Sequence, residues 1–92
     1  MEFEYDHRKS EDNKQKHGID FEDTKRLWEG GFIEVEGKNK GEQRFILIGR
    51  LNEEFYSCIF TKRGERIRII SWRRSREKEA KAYGKFYQQT SE

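Results

Sequence analysis

The stretch Thr61–Arg76, which reads TKRGERIRIISWRRSR, combines a tight turn, a strand pattern and the densest group of arginines in the chain, and the rest of the expected architecture follows from it. Within it, the segment Arg66–Ile69 alternates charged and apolar residues, and successive side chains of a strand point to opposite faces of a sheet. The alternation therefore predicts a half-buried strand that presents guanidinium groups on one face and buries isoleucines on the other.

The residues that precede this stretch predict further strands of a meander. Arg44–Leu51, RFILIGRL, is the most apolar run, and Phe55–Lys62 follows it after the short turn Asn52–Glu54. Gly64 predicts a second tight turn, from which Glu65–Trp72 returns antiparallel to its predecessor.

Two short alternating segments extend this meander. Phe32–Val35 alternates apolar and charged residues, and Glu2–Tyr5 places Phe3 and Tyr5 on one face of an edge strand. The sequence thus predicts an antiparallel sheet of three to four strands.

Capping residues predict two helices before the sheet. Asp6 is a typical N-cap for a helix that ends at His17, where Gly18 suits the C-terminal cap. Asp20 then caps a second helix over Phe21–Glu29. The expected core face of this helix consists of Phe21, Thr24, Leu27 and Trp28.

The C-terminal side of the chain predicts a third helix after the arginine cluster. On it, Tyr83 would share a face with Phe86 or Tyr87, either to pack on the sheet or to bind a partner. Together the elements predict a small single-domain α+β fold over residues 1–87, with two N-terminal helices and one C-terminal helix that cover one face of the sheet. Residues 88–92 contain no apolar side chain and predict a frayed tail.

The composition suits one folded, highly charged domain. Of the 92 residues, 41% are charged and 32% hydrophobic, but 14% are aromatic, which favours a folded core over disorder. The single cysteine, Cys58, cannot form an internal disulfide. No segment approaches the ~20 apolar residues of a spanning helix, and the polar start lacks the features of a secretory signal, so the expected location is the cytoplasm. There is no CxxC, HExxH or Gly-rich phosphate loop, so no metal or cofactor site is predicted.

Arginines concentrate after Phe60, although the net charge of the chain is only +2. The local field of such a cluster favours anions, and RNA phosphates first among them. The alternative is a solvated surface on which single arginines pair with Glu65, Glu77 or Glu79.

The residue types in this region could support metal-independent RNA cleavage. The reaction needs a base for the 2'-hydroxyl, an acid for the departing 5'-oxygen, and cations that stabilise the charge developing on the phosphate. Guanidinium groups can supply only the cations. We expect this role for Arg63, Arg66, Arg68, Arg73, Arg74 and Arg76, with Arg74 indispensable for activity but of little importance for stability.

Three other side chains are candidates for the proton transfers. Glu65 lies in the arginine-rich turn, His17 carries an imidazole that exchanges protons near neutral pH, and Lys62 is a third candidate that could also bind RNA. Glu65 could instead pair with a neighbouring arginine, and His17 could stabilise the C-terminal end of its helix. Trp72 could either stack on an RNA base or fill the gap between strand and helix.

Several spaced motifs resemble the BrnT toxins, the ribonuclease half of a bacterial type II toxin-antitoxin pair. They are EYD at Glu4–Asp6, the helix with Asn13, KHGIDFED at Lys16–Asp23, RFILIGRL at Arg44–Leu51 and FTKRGERIRIISWRRSREKE at Phe60–Glu79. Two positions depart from the family pattern: His7 stands where a proline is common, and Trp72 stands where a smaller residue is common.

The resemblance implies a RelE-like fold, RNA cleavage that halts translation, and neutralisation by a ribbon-helix-helix antitoxin of the BrnA type. It also implies that toxin and antitoxin together repress their own operon, so that operator DNA is contacted only through the antitoxin. No cofactor is implied. Two alternatives stay open: a non-catalytic nucleic-acid-binding module, and an interaction protein whose basic face meets an acidic partner.

Overall fold

The residues that the computed structural model describes, 2–37 and 41–90 with side chains through 85, form a five-stranded sheet and three helices. In chain order these are β1 (Glu2–Glu4), α1 (His7–His17), α2 (Lys25–Glu29), β2 (Phe32–Glu36), β3 (Arg44–Leu51), β4 (Glu54–Arg63), β5 (Arg66–Arg74) and α3 (Glu77–Thr90). Across the sheet the strands lie in the order β1-β5-β4-β3-β2. The fold is α+β, as the sequence predicts, but the sheet has more strands than the predicted three to four.

Strands β3, β4 and β5 form the predicted meander. The loop between β3 and β4 consists of Asn52 and Glu53, both in the left-handed region with φ of 52° and 68°. A two-residue loop of this conformation matches the right-handed twist of the paired strands. Gly64, with φ of 61°, allows the equally short turn between β4 and β5. Local turn residues therefore fix the register of this hairpin pair.

β1 makes the sheet mixed rather than antiparallel. It pairs parallel with β5, and Phe3 lies opposite Ile67. The Phe3 ring packs edge-to-face on Trp28, with ring centroids 5.1 Å apart. The prediction of a wholly antiparallel sheet is wrong, because a three-residue strand shows its alternation but not the direction of its partner.

An extra residue in β5 changes which side chains face the core. Phe60 of β4 pairs with Ile69, but Ile59 pairs with Ser71, so Ile70 is an extra residue in the ladder. A bulge of this kind shifts the alternation of side chains by one residue. The core-facing residues of β5 are consequently Ile67, Ile69 and Trp72, and those on the opposite face are Arg66, Arg68 and Arg73.

Both predicted caps of α1 are confirmed. The Asp6 carboxylate accepts hydrogen bonds from the Lys9 amide at 3.3 Å and from the Arg8 amide at 2.9 Å, and these two bonds lower the pKa of the carboxyl. Gly18 ends the helix in the left-handed conformation with φ of 77°, which a residue without Cβ adopts easily.

The second helix is shorter than the predicted Phe21–Glu29. Asp20 accepts a hydrogen bond from the Asp23 amide at 3.1 Å, as expected of a cap, but the first residues of the predicted helix form turns with i to i+3 hydrogen bonds. One cause is local, since the Thr24 hydroxyl donates to the Phe21 carbonyl at 2.7 Å. The expected core face is confirmed, with Phe21, Thr24 and Leu27 buried and Trp28 half-buried.

α3 lies on the opposite face of the sheet from α1 and α2. Its Tyr83 packs edge-to-face on Phe55 at 5.1 Å, and its Glu79 accepts a hydrogen bond from the Ser57 hydroxyl at 3.0 Å. Phe55 and Ser57 lie at odd-numbered positions of β4, whereas Cys58, at an even-numbered position, faces the core. Phe55 and Ser57 therefore project from the other face of the sheet. The prediction that the helices cover one face is wrong, because β3 and β4 carry apolar side chains on both faces and the second face also needs a cover.

The C-terminal helix is longer than the sequence predicts. α3 includes residues 88–90, which the sequence assigns to a frayed tail, whereas residues 91 and 92 and the side chains of Phe86 and Tyr87 lie outside what the structure describes. Of the predicted aromatic face, Tyr83 packs on the sheet, and its hydroxyl donates to the Gly31 carbonyl at 3.3 Å.

Trp72 lies at the centre of the core. Its side chain is fully buried, its ring lies 5.0 Å from that of Tyr56, and its indole N–H donates to the Asp20 carbonyl at 3.0 Å. An RNA base could not stack on this ring without opening the core, so packing is the alternative that the structure supports. The buried residues that cluster around it are Phe21, Leu27, Leu47, Cys58, Phe60, Ile67 and Ile69.

α1 closes the edge of β5 that β1 leaves uncovered. β1 pairs only with Arg66–Arg68. Beyond it, the buried Asn13 of α1 accepts a hydrogen bond from the Trp72 amide at 3.3 Å and donates to the Ile19 carbonyl at 3.0 Å. One side chain thereby satisfies buried backbone groups on two segments and holds a polar helix against the sheet.

We predict that Asn13→Ala lowers the free energy of unfolding by about 1–3 kcal/mol, because it leaves the buried Trp72 amide without an acceptor. Urea denaturation of the purified variant measures this change. Gln15→Ala, an exposed position on the same helix, is the matched control and should change stability by less than about 0.5 kcal/mol. Equal losses in the two variants would contradict the assigned role of Asn13.

Candidate functional site

One face of the sheet carries arginines from three strands. Thr61 of β4 pairs with Arg44 on one side and with Arg68 on the other, and Arg63 pairs with Arg66. Directly paired residues project from the same face of a sheet. We call the resulting surface, on the side opposite the core, the arginine face; it consists of Arg44, Arg63, Arg66, Arg68 and Arg73.

The ion pairs on this face are mostly exposed. Arg63 holds the Glu42 carboxylate through two hydrogen bonds of 3.0 and 3.1 Å, and Arg66 pairs with Glu2 at 3.0 Å. In the described part of the chain, neither Arg44 nor Arg68 has an ion-pair partner. Exposed pairs contribute about 0–1 kcal/mol, so an incoming phosphate could replace these carboxylates at little cost.

Arg73 differs from the other arginines because it is held in place. Its guanidinium group makes two hydrogen bonds to Glu79, of 2.7 and 3.0 Å, in a half-buried position. Glu79 also accepts from the Arg76 amide at 2.7 Å and from the Ser57 hydroxyl at 3.0 Å. Burial alone would raise the pKa of the Glu79 carboxyl, but these hydrogen bonds outweigh burial and hold the pKa at about 2. Glu79 is therefore ionised at neutral pH and fixes both Arg73 and the start of α3.

A groove of about 370 Å³ runs between the arginine face and the start of α3. Its apolar floor is formed by Ile46 and Ile59, and Arg44, Arg73 and Arg76 surround it. Cations around an apolar strip suit a nucleotide, whose phosphate is charged and whose base is largely apolar on its faces. Arg76, predicted from the sequence as an RNA-binding residue, thus lies beside Arg44 and Arg73.

His17 lies at the edge of the sheet near the arginine face. Together with Lys9, Lys16 and Ser71 it lines a shallow pocket of about 250 Å³. Ser71 pairs with Ile59 of the groove floor, so this pocket borders the arginine face across β5. His17 is exposed, and none of the described residues binds it through a hydrogen bond or ion pair.

Glu65, the other candidate for proton transfer, lies in the turn between β4 and β5. It is exposed and adjoins Arg66, at the end of the arginine face. Four strand residues lie between Glu65 and Ile70, which is beside His17, so five steps along the strand separate the two by roughly 16 Å. The structure therefore does not bring Glu65 and His17 together, and only one of them could act at any single phosphate.

Three residues predicted for the site lie elsewhere. Lys62 projects from the core side of β4, where it pairs with Glu34 at 3.0 Å and lies 4.4 Å from the centre of the Phe45 ring. Arg74 pairs in register with Tyr56, on the side opposite Arg73, and forms an ion pair with Glu54. Trp72 is in the core, as described above. Their placement follows from the bulge at Ile70 and from strand alternation, which divide neighbouring residues between the two faces.

Arg44 is a residue of this surface that the sequence does not single out. Its signal is present in the segment RFILIGRL, where Arg44 alternates with Phe45 and Leu47 and must therefore project away from the core. The residues predicted from the sequence lie mainly in the stretch Thr61–Arg76, which covers the end of β4, all of β5 and the residues that follow it. The contribution of Arg44 from β3 depends on the pairing of strands that are distant in the sequence.

Another concave region lies away from the arginine face. It has a volume of about 720 Å³ and lies between β1 and α2, lined by Phe3, Trp28 and Phe32. These rings pack on one another, and Phe3 and Trp28 lie 5.1 Å apart. Its charged rim carries both signs, including Glu2 and Arg66, so it offers no field that would attract a polyanion.

The chemistry of the arginine face is that of a cation surface. Guanidinium groups stay protonated and donate hydrogen bonds in a planar geometry that matches phosphate oxygens. Among the described residues, no group of three His, Cys, Asp or Glu side chains is placed to hold a metal ion. Cys58 is buried, which raises the pKa of its thiol and leaves it without nucleophilic character.

Comparison with known proteins identifies one family. A family model described as "Ribonuclease toxin, BrnT, of type II toxin-antitoxin system" matches residues 5–79. No curated protein matches the chain. In the described residues, no helix has the length and apolar character needed to cross a membrane.

The Glu79 network predicts a pH dependence of stability. The folded-state pKa of Glu79, about 2, lies below its ordinary value of 4.5, so its contribution is present above about pH 4.5 and is lost as the pH falls towards 2. We expect Glu79→Gln to be less stable than the unmodified protein at pH 7, with a difference that shrinks as the pH falls from about 5 to about 2.

Chemical denaturation across this pH range measures the effect. Glu77→Gln is the control, because Glu77 lies on the same helix and its only described ion pair, with Lys81, is exposed. A stability difference for Glu79→Gln that does not depend on pH would contradict the assigned network.

Proposed function

Because the chain belongs to the BrnT family of ribonuclease toxins of type II toxin-antitoxin systems, we propose that it cleaves RNA without a metal ion and binds the RNA backbone on the arginine face. The observation that carries this proposal is the one-sided placement of Arg44, Arg63, Arg66, Arg68 and Arg73 on one face of the sheet. A net charge of +2 would attract a polyanion weakly, whereas a face of this kind concentrates the field where the backbone binds.

The arginines stabilise the charge on the phosphate and do not take part in transfer of the 2'-hydroxyl proton. In the proposed reaction the 2'-oxygen attacks the adjacent phosphorus, the bond to the 5'-oxygen breaks, and the products carry a 2',3'-cyclic phosphate and a 5'-hydroxyl. Guanidinium groups neutralise the charge that develops on the non-bridging oxygens. They cannot accept the 2'-hydroxyl proton, because they have no free lone pair.

We assign the proton transfer to His17 in preference to Glu65. The pocket of His17 also contains Ser71, which lies in β5 between Arg68 and Arg73. Glu65 lies at the end of the face, beyond Arg66. An imidazole at the edge of the sheet can reach a sugar whose phosphate is bound on the arginine face, and its ring nitrogens can accept and donate a proton.

The proposal extends to partners and location. We expect RNA cleavage to inhibit translation in the cytoplasm, and we expect neutralisation by a ribbon-helix-helix antitoxin of the BrnA type, through which alone operator DNA is contacted. An acidic segment of the antitoxin would compete with RNA for the same guanidinium groups. This would couple inhibition directly to occupancy of the arginine face.

A second candidate is a module that binds RNA without cleaving it. It is favoured by the exposed, unbonded state of His17 among the described residues, since a catalytic imidazole is often oriented by a neighbour. Turnover separates the two functions, because a binding module leaves RNA intact at any protein concentration.

The first test is incubation of the purified protein with a defined RNA in excess EDTA, followed by analysis of the new 3' ends. We expect 2',3'-cyclic phosphate ends and a loss of about a hundredfold in rate for Arg68→Ala, equivalent to about 3 kcal/mol of transition-state stabilisation. Lys62→Ala removes the same charge from the opposite face and should retain activity. Arg74→Ala tests the sequence pattern against the structure, because the pattern assigns Arg74 to the site whereas the position of Arg74 in the sheet does not. Full activity in Arg68→Ala, or cleavage only after metal is added, would refute the proposal.

His17→Gln should lower the single-turnover cleavage rate by about 10²–10⁴-fold while leaving RNA binding unchanged, because it removes proton transfer and no phosphate contact. Rapid-quench kinetics and fluorescence anisotropy measure the two quantities. His7→Gln, an exposed histidine at the other end of α1, serves as the control. If Glu65→Gln shows the larger loss of rate, the proton-transfer role belongs to the turn and not to His17.

A further inference from the structure

Thr61 is buried without a hydrogen-bond partner. Its side chain is 1% exposed, and its hydroxyl forms no hydrogen bond of normal geometry with a described residue. The acid beside it is Glu42, whose carboxyl pKa is lowered first by Arg63 and to a smaller extent by the Thr61 hydroxyl and the Arg68 charge. The other buried hydroxyls are satisfied: Ser10 accepts from the Phe21 amide, Thr24 donates to a carbonyl, and Ser57 binds Glu79. An unpaired buried hydroxyl costs stability, so its presence on the arginine face calls for a functional explanation.

The two neighbours of Thr61 in the sheet are both arginines. Arg44 lies opposite it on β3 and Arg68 lies opposite it on β5, and both side chains are half-buried. Guanidinium groups have donors only, so neither can accept the threonine proton. Three groups that all need an acceptor thus lie side by side across three strands.

The carboxylates near this row are bound mainly to Arg63, although Glu42 also lies beside Thr61. Glu42 binds Arg63 through two hydrogen bonds, and Glu4, which lies opposite Arg68 on β1, has its described ion contact with Arg63 at 3.9 Å. The Arg63–Arg66 row therefore holds the acids in ion pairs, whereas among the described residues Arg44 and Arg68 form no ion pair, and Glu42, the acid beside Thr61, is held by Arg63. An anion with several acceptor oxygens would satisfy all three groups of that row at once.

We propose that Thr61, Arg44 and Arg68 form a seat for one phosphodiester group of single-stranded RNA, in which the threonine hydroxyl donates to a non-bridging oxygen. The two guanidinium groups neutralise the charge of the phosphate and move together with it. Their movement gives the phosphate oxygen access to the Thr61 hydroxyl below them. This assignment rests on the proposed function in that it names the RNA-binding residues of the same face. Thr61 and Ile59, which pairs with Ser71 beside His17, are two residues apart on β4, or about 7 Å, so the seated phosphate lies near the proposed proton-transfer group.

The test uses Thr61→Val, which keeps the branched shape and removes only the hydroxyl. Binding is measured by anisotropy with a 2'-O-methyl RNA, which no 2'-hydroxyl attack can cleave, so the readout does not depend on catalysis. We expect roughly a tenfold to hundredfold weaker binding, as for loss of a hydrogen bond to a charged group, without any loss of stability in urea denaturation. Thr61→Ser keeps the hydroxyl and should bind nearly as tightly as the unmodified protein.

Two controls separate a ligand contact from a structural role. Thr24→Val removes a buried hydroxyl that is already bonded, and it should lower stability and leave RNA binding unchanged. Arg44→Ala should reduce the slope of log K against log salt by about 0.7, whereas Thr61→Val should leave the slope unchanged because it removes no charge.

The outcomes for the two proposals are distinguishable. If the unmodified protein binds the 2'-O-methyl RNA but cleaves no RNA, the proposed ribonuclease activity fails while weaker binding by Thr61→Val still supports the seat. If Thr61→Val binds as tightly as the unmodified protein, or if the unmodified protein does not bind the RNA, the seat is overturned. Loss of binding together with loss of stability in Thr61→Val would likewise assign Thr61 to the fold alone.

Discussion

At Ile70, β5 contains one extra residue, and the position of this bulge sets which of its side chains enter the core and which lie on the opposite face. Before it, odd-numbered residues of β5 face the core; after it, even-numbered residues do, so Trp72 enters the core and Arg73 joins Arg68 on the opposite face. The buried tryptophan then requires an acceptor for its amide at an uncovered strand edge, and Asn13 supplies it from α1. One inserted residue thus determines the packing of a helix, the filling of the core and the composition of the arginine face.

The two faces of the sheet have separate tasks. Aromatic and aliphatic side chains under α1 and α2 supply the burial that stabilises a small domain, and α3 protects only part of the other face. The remaining part can carry like charges close together, because water and nearby carboxylates screen them. A chain with a net charge of +2 can in this way present a strongly positive surface to a polyanion.

The arginines of this surface divide by how firmly they are held. Arg73 makes two hydrogen bonds to the carboxylate of Glu79, which also caps α3. The fold therefore sets the position of the Arg73 guanidinium group. Arg63 and Arg66 have exposed partners, and Arg44 and Arg68 have none among the described residues. A rigid member can orient a phosphate while exchangeable members adapt to it, which is how such a surface can bind a flexible single strand.

The sequence alone determined the elements whose signals are local: the strand Arg44–Leu51, the caps Asp6 and Gly18, the tight turns, and the alternation of arginine with isoleucine at the start of β5. It also carried the motifs that identify the family. Four features follow only from the folded arrangement: the parallel pairing of β1, the placement of α3 on the opposite face, the burial of Trp72, and the projection of Arg73 and Arg74 from different faces. Each of these depends on a bulge or on contacts between residues far apart in the chain, and periodicity within one segment contains no information about which distant segment lies opposite. The role of Arg44 was missed for the same reason, since its place beside Thr61 and Arg68 exists only when three strands are paired.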